Sequence, residues 1–291
     1  MTAMLERWTQ LPGRVLRHED QGAGHRWLEI HLPAEFPAPA PGQFVQILLV
    51  NPSPVLLPRP MSVAAVSRRG RLLSLGFLYA PVGSGTRALA ELAPGAALEV
   101  LGPLGHGYPL DHPGTPVLVA GGRGVAPLLF AADRLAQSGR RCEFVFGARS
   151  VDHLVGLAGA ETRLASSGGR LHLCTDDGTR GLRGNVVDLL NRLLPELERP
   201  SVVHACGPHG MLKAVARWGM SHGLETHLAM ESVMACGTGV CRGCPLPRSQ
   251  ASRTAWNPDT TPSLYGNREF AMCCTEGPVF EAHDLDWEEI E

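Results

Sequence analysis

An alternation of apolar and helix-forming runs begins at Thr115 and constrains the fold more than any other feature of this 291-residue sequence. Residues 117–120 are all apolar, Gly121-Gly122-Arg123-Gly124 follows them, and residues 125–136 have helical spacing. Strands that alternate with helices in this way predict a parallel sheet covered by helices on both faces. Further strands are predicted at 142–146, 171–175, 201–205 and 226–228, and further helices at 151–165, 185–194 and 209–222.

The first 112 residues contain short strand-like runs divided by Gly and Pro. One stretch of helical period, 85–92, interrupts them, so we predict a small antiparallel β-barrel. Its strands are predicted at 43–50, 61–67, 71–79 and 97–101. The fold class is therefore multidomain, β followed by α/β, with a barrel over 1–112, a nucleotide-binding α/β domain over 113–228 and a small cysteine-rich domain over 229–291.

Composition and charge exclude several classes of function. Apolar residues make up 44% of the chain, which is incompatible with intrinsic disorder. The 26 basic and 28 acidic residues give a net charge of −2, which does not favour nucleic acid or an anionic membrane as a partner. No apolar run reaches the ~18 residues that span a bilayer, and the first residues lack a basic start followed by an apolar run. The expected compartment is the cytoplasm, where thiols stay reduced.

Five of the eight cysteines crowd into the last 56 residues, and clustered cysteines in a reducing compartment indicate metal binding. The spacing is Cys236-x4-Cys241-x2-Cys244, followed after 29 residues by Cys274. This is the plant-type [2Fe–2S] pattern. Glycines at 237, 239 and 243 supply the backbone freedom for a tight loop and N–H donors for cluster sulfurs.

Two alternatives remain open at the cysteine-rich segment. A structural zinc site would use the same ligand type, but zinc sites usually contain paired C-x2-C units, and here there is one. The fourth ligand is either Cys273 or Cys274. We favour Cys274, because its Cys-x2-Gly-Pro-Val-Phe context leads into a strand, and Cys273 would then be a buried neighbour.

Two segments of the predicted barrel are candidates for contacting the phosphates of a dinucleotide. Arg59-Pro60-Met61-Ser62 begins a strand, and it offers a guanidinium suited to phosphate oxygens and a hydroxyl that could donate to a ring nitrogen. The second segment, 78–86, is a glycine-rich turn that opens a helix, where backbone N–H groups face an anion.

The predicted α/β domain contains two further glycine-containing turns. Gly121, Gly122 and Gly124 follow a buried strand and open a helix, which is the setting of a nucleotide-binding turn. Cys206-Gly207-Pro208 ends another strand. Ligands bind at the carboxyl ends of parallel strands, so the two turns together predict a nucleotide site at one edge of the sheet.

The ordered set of these motifs resembles the ferredoxin–NADP reductase superfamily with a C-terminal [2Fe–2S] domain. Within it, the chain is most similar to the electron-transfer subunits of NAD-dependent, two-subunit dihydroorotate dehydrogenases. The resemblance covers essentially the whole chain and rests on RPMS (59–62), LYAPVGSGT (78–86), LGPLGHGY (101–108), AGGRGVAPL (120–128), TDDGTRGLRGNVVDLL (175–190), ACGPHGMLKAVA (205–216) and the stretch from ESVMACGTGVCRGC (231–244) to CTEGPVF (274–280).

The resemblance implies three cofactors and a partner. It implies an FAD-binding barrel and electron relay from an FMN-containing dihydroorotate dehydrogenase catalytic subunit, through the cluster and FAD, to NAD⁺. No general acid or base is required, and Ser62 and Cys206 would be positioning groups. The implied FAD contacts are Arg59, Pro60, Met61, Ser62, Leu78, Tyr79, Ala80, Gly85 and Thr86; those for NAD(H) are Gly121, Gly122, Gly124, Cys206, Gly207 and Pro208; the cluster ligands are Cys236, Cys241, Cys244 and Cys274.

Other functions stay open at this point. The chain could be the diaphorase subunit of a hydrogenase or of a ferredoxin-dependent transhydrogenase, or a non-catalytic zinc-binding interaction module. Arg149-Ser150 lies where relatives that prefer NADP place contacts to the 2′-phosphate, so the choice between NAD and NADP is also open.

Overall fold

The computed structural model describes residues 8–50, 55–258 and 266–290. Its strands form two seven-stranded sheets and one two-stranded sheet. The first large sheet is antiparallel and the second is mainly parallel, as the sequence predicts.

The first sheet curls because its two edge strands are consecutive in the chain. Its strand order is β4-β3-β7-β1-β2-β6-β5. Ser62 ends one edge strand and Ala65 begins the other, so the edges must meet. The elements are β1 (Thr9–Gly22), β2 (His25–Pro33), β3 (Phe44–Leu49), β4 (Arg59–Ser62), β5 (Ala65–Arg69), β6 (Leu72–Tyr79), α1 (Ser84–Ala90) and β7 (Ala97–Leu104).

The sequence interpretation of this sheet was wrong in two places. It gave no strands before residue 43, although β1 and β2 form a long hairpin. Their outward positions carry Arg, His and Glu, so the alternation of apolar and polar residues that identifies a strand is weak in this part of the sequence. The single strand predicted at 61–67 is two strands, because Val63 donates to Gln43 O and Ala64 donates to Gly76 O as the chain crosses between the edges.

The second sheet has the strand order β11-β10-β9-β8-β12-β13-β16. Two helices pack on one face and two on the other, in separate apolar cores, as predicted. The elements are β8 (Thr115–Gly121), α2 (Val125–Gln137), β9 (Glu143–Ala148), α3 (Leu157–Ser167), β10 (Arg170–Thr175), β11 (Leu182–Arg183), α4 (Val186–Leu193), β12 (Ser201–Cys206), α5 (His209–Ser221), β13 (Glu225–Ala229), β14 (Pro245–Pro247), α6 (Gln250–Ala255), β15 (Phe270–Met272) and β16 (Val279–Glu281).

The helix predicted at 151–165 was wrong at its start. Residues Val151–His153 form a short 3-10 turn, and α3 begins only at Leu157. Gly156 precedes it with φ of +83°, a left-handed conformation that ends one helical segment and redirects the next.

The C-terminal segment packs against both large sheets. Its strand β16 pairs antiparallel with β13, so the second sheet is mixed at this edge. His106, just after β7, donates its backbone N–H to Gly277 O at 2.6 Å. The C-terminal segment is thus joined by backbone pairing to the elements before it, and the domain boundary placed after residue 228 stays a prediction. No helix in the described ranges is long and apolar enough to cross a membrane.

A buried ion pair fixes the C-terminal segment. The side chains of Arg248 and Glu276 are both only 8% exposed and form a salt bridge. Arg248 Nε also donates to Asn267 O at 2.8 Å, and Glu276 accepts from Met272 N at 2.8 Å. Removing one partner leaves a buried charge without compensation.

We expect Glu276→Gln to lower the free energy of unfolding by about 3–5 kcal/mol. Urea denaturation measures the change. The matched control is Glu288→Gln: Glu288 is 72% exposed and pairs with Arg217 on the surface, so its loss costs at most about 1 kcal/mol. Equal effects of the two variants would contradict the importance of burial.

Candidate functional site

The larger cavity, of about 810 Å³, opens at the carboxyl ends of the parallel strands. From β8 the chain moves outward through β9 and β10, then returns to β12 on the other side of β8. This reversal of direction leaves a crevice between β8 and β12, which is where open α/β sheets bind ligands.

Both glycine-containing turns predicted to contact nucleotide line this cavity. Gly121, Gly122, Gly124, Gly207 and Pro208 are among its walls. Gly124 permits the close approach of the two turns, because a Cβ atom there would lie 2.3 Å from Cys206 O. The geometry brings together a helix start and a strand end around one crevice.

The far end of the cavity contains polar residues that the sequence interpretation did not select. Asp176, Asn185 and His153 line it together with Arg149. Asp176 directly follows β10, and its backbone N–H donates to Ala148 O at 3.1 Å, which holds it beside the end of β9. Its place after a predicted parallel strand was the signal that could have identified it.

A second cavity, of about 250 Å³, lies between the curled sheet and the start of the parallel sheet. The two cavities share Arg123, Gly124 and Glu231. Residues of β4, of β6 and the position after it, and of α1 line this cavity and were selected from the sequence: Pro60, Met61, Ser62, Leu78, Tyr79, Ala80 and Thr86. Cys206 reaches the cavity from β12.

Arg59 and Gly85 lie beside this second cavity and contact each other. A Cβ at Gly85 would lie 2.7 Å from Arg59 Nη1, so the glycine makes room for the guanidinium. Arg59 also donates from Nε to Pro58 O and from Nη2 to Leu57 O, at 2.8 and 2.9 Å. The charge is thereby held at the start of β4.

The Tyr79 ring is held in place within the cavity wall. His18 Nδ1 lies 2.8 Å from Leu92 O, and because a carbonyl only accepts, Nδ1 carries the proton. His18 Nε2 therefore accepts from the Tyr79 hydroxyl at 2.8 Å. Burial raises the pKa of Tyr79, so the hydroxyl stays protonated and keeps donating.

Cys206 lies near the junction of the two cavities. Its side chain is buried, and burial raises its pKa, with the nearby Glu231 carboxylate raising it further. The thiol is protonated at neutral pH, which suits a positioning group and not a nucleophile. At the junction, Arg123 and Glu231 approach to 3.9 Å.

The four cysteines of the spaced motif fall into two pairs. Cys236 and Cys241 have Sγ atoms 3.3 Å apart. Cys244 forms a hydrogen bond with the Cys274 thiol and accepts from Cys274 N at 3.4 Å. The first pair is partly or fully exposed, and the second is buried.

Local donors favour thiolates in each pair. Burial raises the pKa of Cys236, but N–H groups of Cys241 and Thr238 outweigh it, and the pKa falls to about 7. The Cys274 thiol lowers the pKa of Cys244 to about 7 against the effect of burial. Thiolate is the form that binds metal.

Cys273 points away from both pairs. It is fully buried, and its Sγ lies 3.7 Å from Met230 O. Burial raises the pKa of Cys273, and the hydrogen bond with Cys244 raises the pKa of Cys274 as well, so it is the direction of the two thiols that separates them. Within the described residues, no group of three or more His, Cys, Asp or Glu side chains could hold a single metal ion.

Comparison with known proteins agrees with this architecture. A model of the oxidoreductase NAD-binding domain family matches residues 118–217. A solved structure described as an NADH-dependent reduced ferredoxin-NADP oxidoreductase, reported for flavin-based electron bifurcation, has a TM-score of 0.78 and 25% identity, covering 99% of this chain and 92% of its own. The fold and cavities thus define an NAD(P)H-linked oxidoreductase.

The sequence relatives specify the family. The electron transfer subunit of dihydroorotate dehydrogenase B (NAD(+)) from Listeria monocytogenes is 34% identical, over 84% of this chain and 87% of its own length. The subunit of that name from Desulforamulus reducens is 31% identical, over 87% and 92%. The chain belongs to the family of dihydroorotate dehydrogenase B electron transfer subunits.

Proposed function

We propose that the chain transfers electrons between NAD(H) and an FMN-containing dihydroorotate dehydrogenase catalytic subunit, by way of FAD and a [2Fe–2S] cluster. The observation that carries the proposal is the junction of the two cavities, which share Arg123, Gly124 and Glu231. A nucleotide in the larger cavity would reach a flavin in the smaller one without crossing a protein wall.

The smaller cavity suits FAD. Pro60, Met61 and Ser62 would lie along the flavin, with the Ser62 hydroxyl donating near N5, and Arg59 would neutralise the pyrophosphate. Tyr79 offers a fixed aromatic face. Bound FAD supplies the exchange between hydride transfer, which moves two electrons, and single-electron transfer.

The larger cavity suits NAD(H). The glycine turns at 121–124 and 207 offer backbone N–H groups to the pyrophosphate where α2 and α5 begin. The Cys206 thiol, protonated and buried at the junction, would position the nicotinamide and exclude water from the reacting atoms.

The paired cysteines suit a two-iron cluster. Two ligands per iron would come from Cys236 with Cys241 and from Cys244 with Cys274. Backbone N–H groups already directed at Cys236 Sγ, at 3.4 and 3.5 Å, suit a sulfur that carries negative charge.

The test is purification under anaerobic conditions, with and without the partner. We expect about two irons per chain, a flavin absorbance that NADH bleaches, and, with the FMN-containing subunit added, reduction of NAD⁺ by dihydroorotate. A colourless, zinc-containing protein would overturn the proposal. Iron and flavin present, without dihydroorotate-dependent reduction, would overturn only the choice of partner.

A second candidate is the subunit of a ferredoxin-dependent transhydrogenase. It is favoured by the similarity to the NADH-dependent reduced ferredoxin-NADP oxidoreductase over 99% of this chain. Co-purification with a transhydrogenase subunit, and no stimulation by dihydroorotate, would support it over the first.

Asp176 leads us to expect a preference for NADH over NADPH. Asp176 follows β10 and is held beside the end of β9, where a carboxylate would accept from ribose hydroxyls of the nucleotide and repel a 2′-phosphate. Asp176→Ala is expected to reduce the ratio of kcat/KM for NADH to that for NADPH by about tenfold. The control is Asp177→Asn, because Asp177 already accepts from Thr179 N at 3.0 Å and does not line the cavity. An unchanged ratio in Asp176→Ala would contradict this role.

A further inference from the structure

Gln46 is a buried glutamine whose side-chain amide has no partner within the described residues. It is 0% exposed, and neither Nε2 nor Oε1 forms a hydrogen bond. A buried amide of this kind is unfavourable unless something accepts its N–H.

The side chain faces away from the core of the curled sheet. Its strand neighbours Val45 and Ile47 pack inside that core, and side chains alternate along a strand. Gln46 therefore points to the other face, as does Phe44, which lines the smaller cavity and packs with the C-terminal segment.

The amide lies against the loop that carries the first cysteine pair. A Cβ at Gly237 would lie 2.8 Å from Gln46 Nε2 and 2.9 Å from its Cγ. Gly237 has φ of +74° and directly follows Cys236. A side chain at 237 would displace the amide, so the loop is shaped to admit it.

The same residue is anchored beside the other redox site. The backbone of Gln46 pairs with Pro60, which lines the smaller cavity. Gln46 thus connects the strand pair that borders the proposed flavin with the loop that borders the proposed cluster.

We propose that Gln46 donates its amide N–H to a sulfur of the [2Fe–2S] cluster, either Cys236 Sγ or a sulfide of the cluster, and that it thereby raises the cluster's reduction potential. The inference rests on the proposed function. Hydrogen bonds to cluster sulfurs stabilise the more negative, reduced state. Thr238 N and Cys241 N already serve Cys236 in this way, and Gln46 would supply a donor from outside the loop.

The test compares Gln46→Met, which preserves side-chain length but removes the amide, with wild type and Gln43→Met. Gln43 is the matched control, because its amide is already partnered by Gly105 O and Ala40 N. Anaerobic dye-mediated titration, followed by visible and electron paramagnetic resonance spectra, measures the cluster and flavin potentials separately.

We expect Gln46→Met to shift the cluster potential to a more negative value and to change the resonance spectrum of the reduced cluster, with the flavin potential unchanged. Gln43→Met should leave both potentials as in wild type. Gln46→Asn, which retains a shorter amide, should show a smaller negative shift of the cluster potential than Gln46→Met. If Gln46→Met does not retain iron, a cluster potential in Gln46→Asn that is more negative than that of wild type supports the inference.

An unchanged potential and spectrum in iron-loaded Gln46→Met, or in Gln46→Asn where the first variant is unstable, would overturn the inference and leave the proposed function intact. A wild-type protein without iron would overturn the cluster itself.

Discussion

On the proposed function, replacing Cys274 by alanine is expected to remove the proposed [2Fe–2S] cluster, from about two irons per chain to a trace. Cys274 is the partner of Cys244, and its loss would leave one iron with a single protein thiolate. NADH should still bleach the flavin, because the smaller cavity is not altered, while electron transfer to the partner subunit should stop. Iron and acid-labile sulfide analyses measure the first effect, and stopped-flow absorbance measures the second.

Cys273→Ala is the control for this experiment. Cys273 adjoins Cys274 in the chain, but its Sγ is directed at Met230 O and not at Cys244. We expect the variant to keep its iron and to lose stability by about 1 kcal/mol for the deleted buried thiol. Loss of iron from this variant, with retention in Cys274→Ala, would reverse the assignment of the fourth ligand.

Gly124→Ala is expected to reduce kcat/KM for NADH by about 10²-fold, since displacement of a site by ~1 Å can have an effect of this size. The added methyl group would lie 2.3 Å from Cys206 O and 2.6 Å from Gly207 N, which are backbone atoms that cannot rotate away. The turns that contain Gly124 and Gly207 must separate, and both line the cavity. Steady-state kinetics with NADH and an artificial acceptor measures the loss.

The matched variant is Gly159→Ala, in the first turn of α3. There the nearest atom to the new methyl group is Arg163 Nη1, at 3.0 Å, which belongs to a long side chain and not to the backbone, and the backbone at 159 is helical. Replacement should stabilise the fold by about 0.5–1 kcal/mol, because alanine favours a helix over glycine. The two variants share one chemical change, so equal losses of activity would argue against the close approach as the cause.

The sequence predicted the alternating α/β part well because the signals there are local. The central strands β8 and β9 are mainly apolar runs, and a glycine turn lies between a strand and a helix, as with Gly121 before α2. The curled sheet was harder. The hairpin of β1 and β2 exposes many charged side chains, and its strands are defined by pairing with β7 and β6, which no local pattern reveals.

For the candidate site, residues next to a recognisable turn could be selected, and residues brought by the topology could not. Asp176 could have been found, since it follows a predicted strand. Glu231 could not, because its place at the junction depends on how the chain leaves β13 and returns as β16. No sequence pattern identifies Gln46 either, because it looks like any polar residue of a half-buried strand. Its significance depends on the proximity of Gly237, which only the structure shows.

The return of β16 to the side of β13 has a practical meaning for dissecting this molecule. β16 forms the last strand of the mixed sheet, so a truncation before Val279 would bare the backbone of β13. Unpaired strand edges recruit other chains and promote aggregation. A shortened version that ends after the nucleotide-binding part is therefore a poor choice for expression, and the role of the cysteine-rich segment is better tested by point substitutions than by deletion.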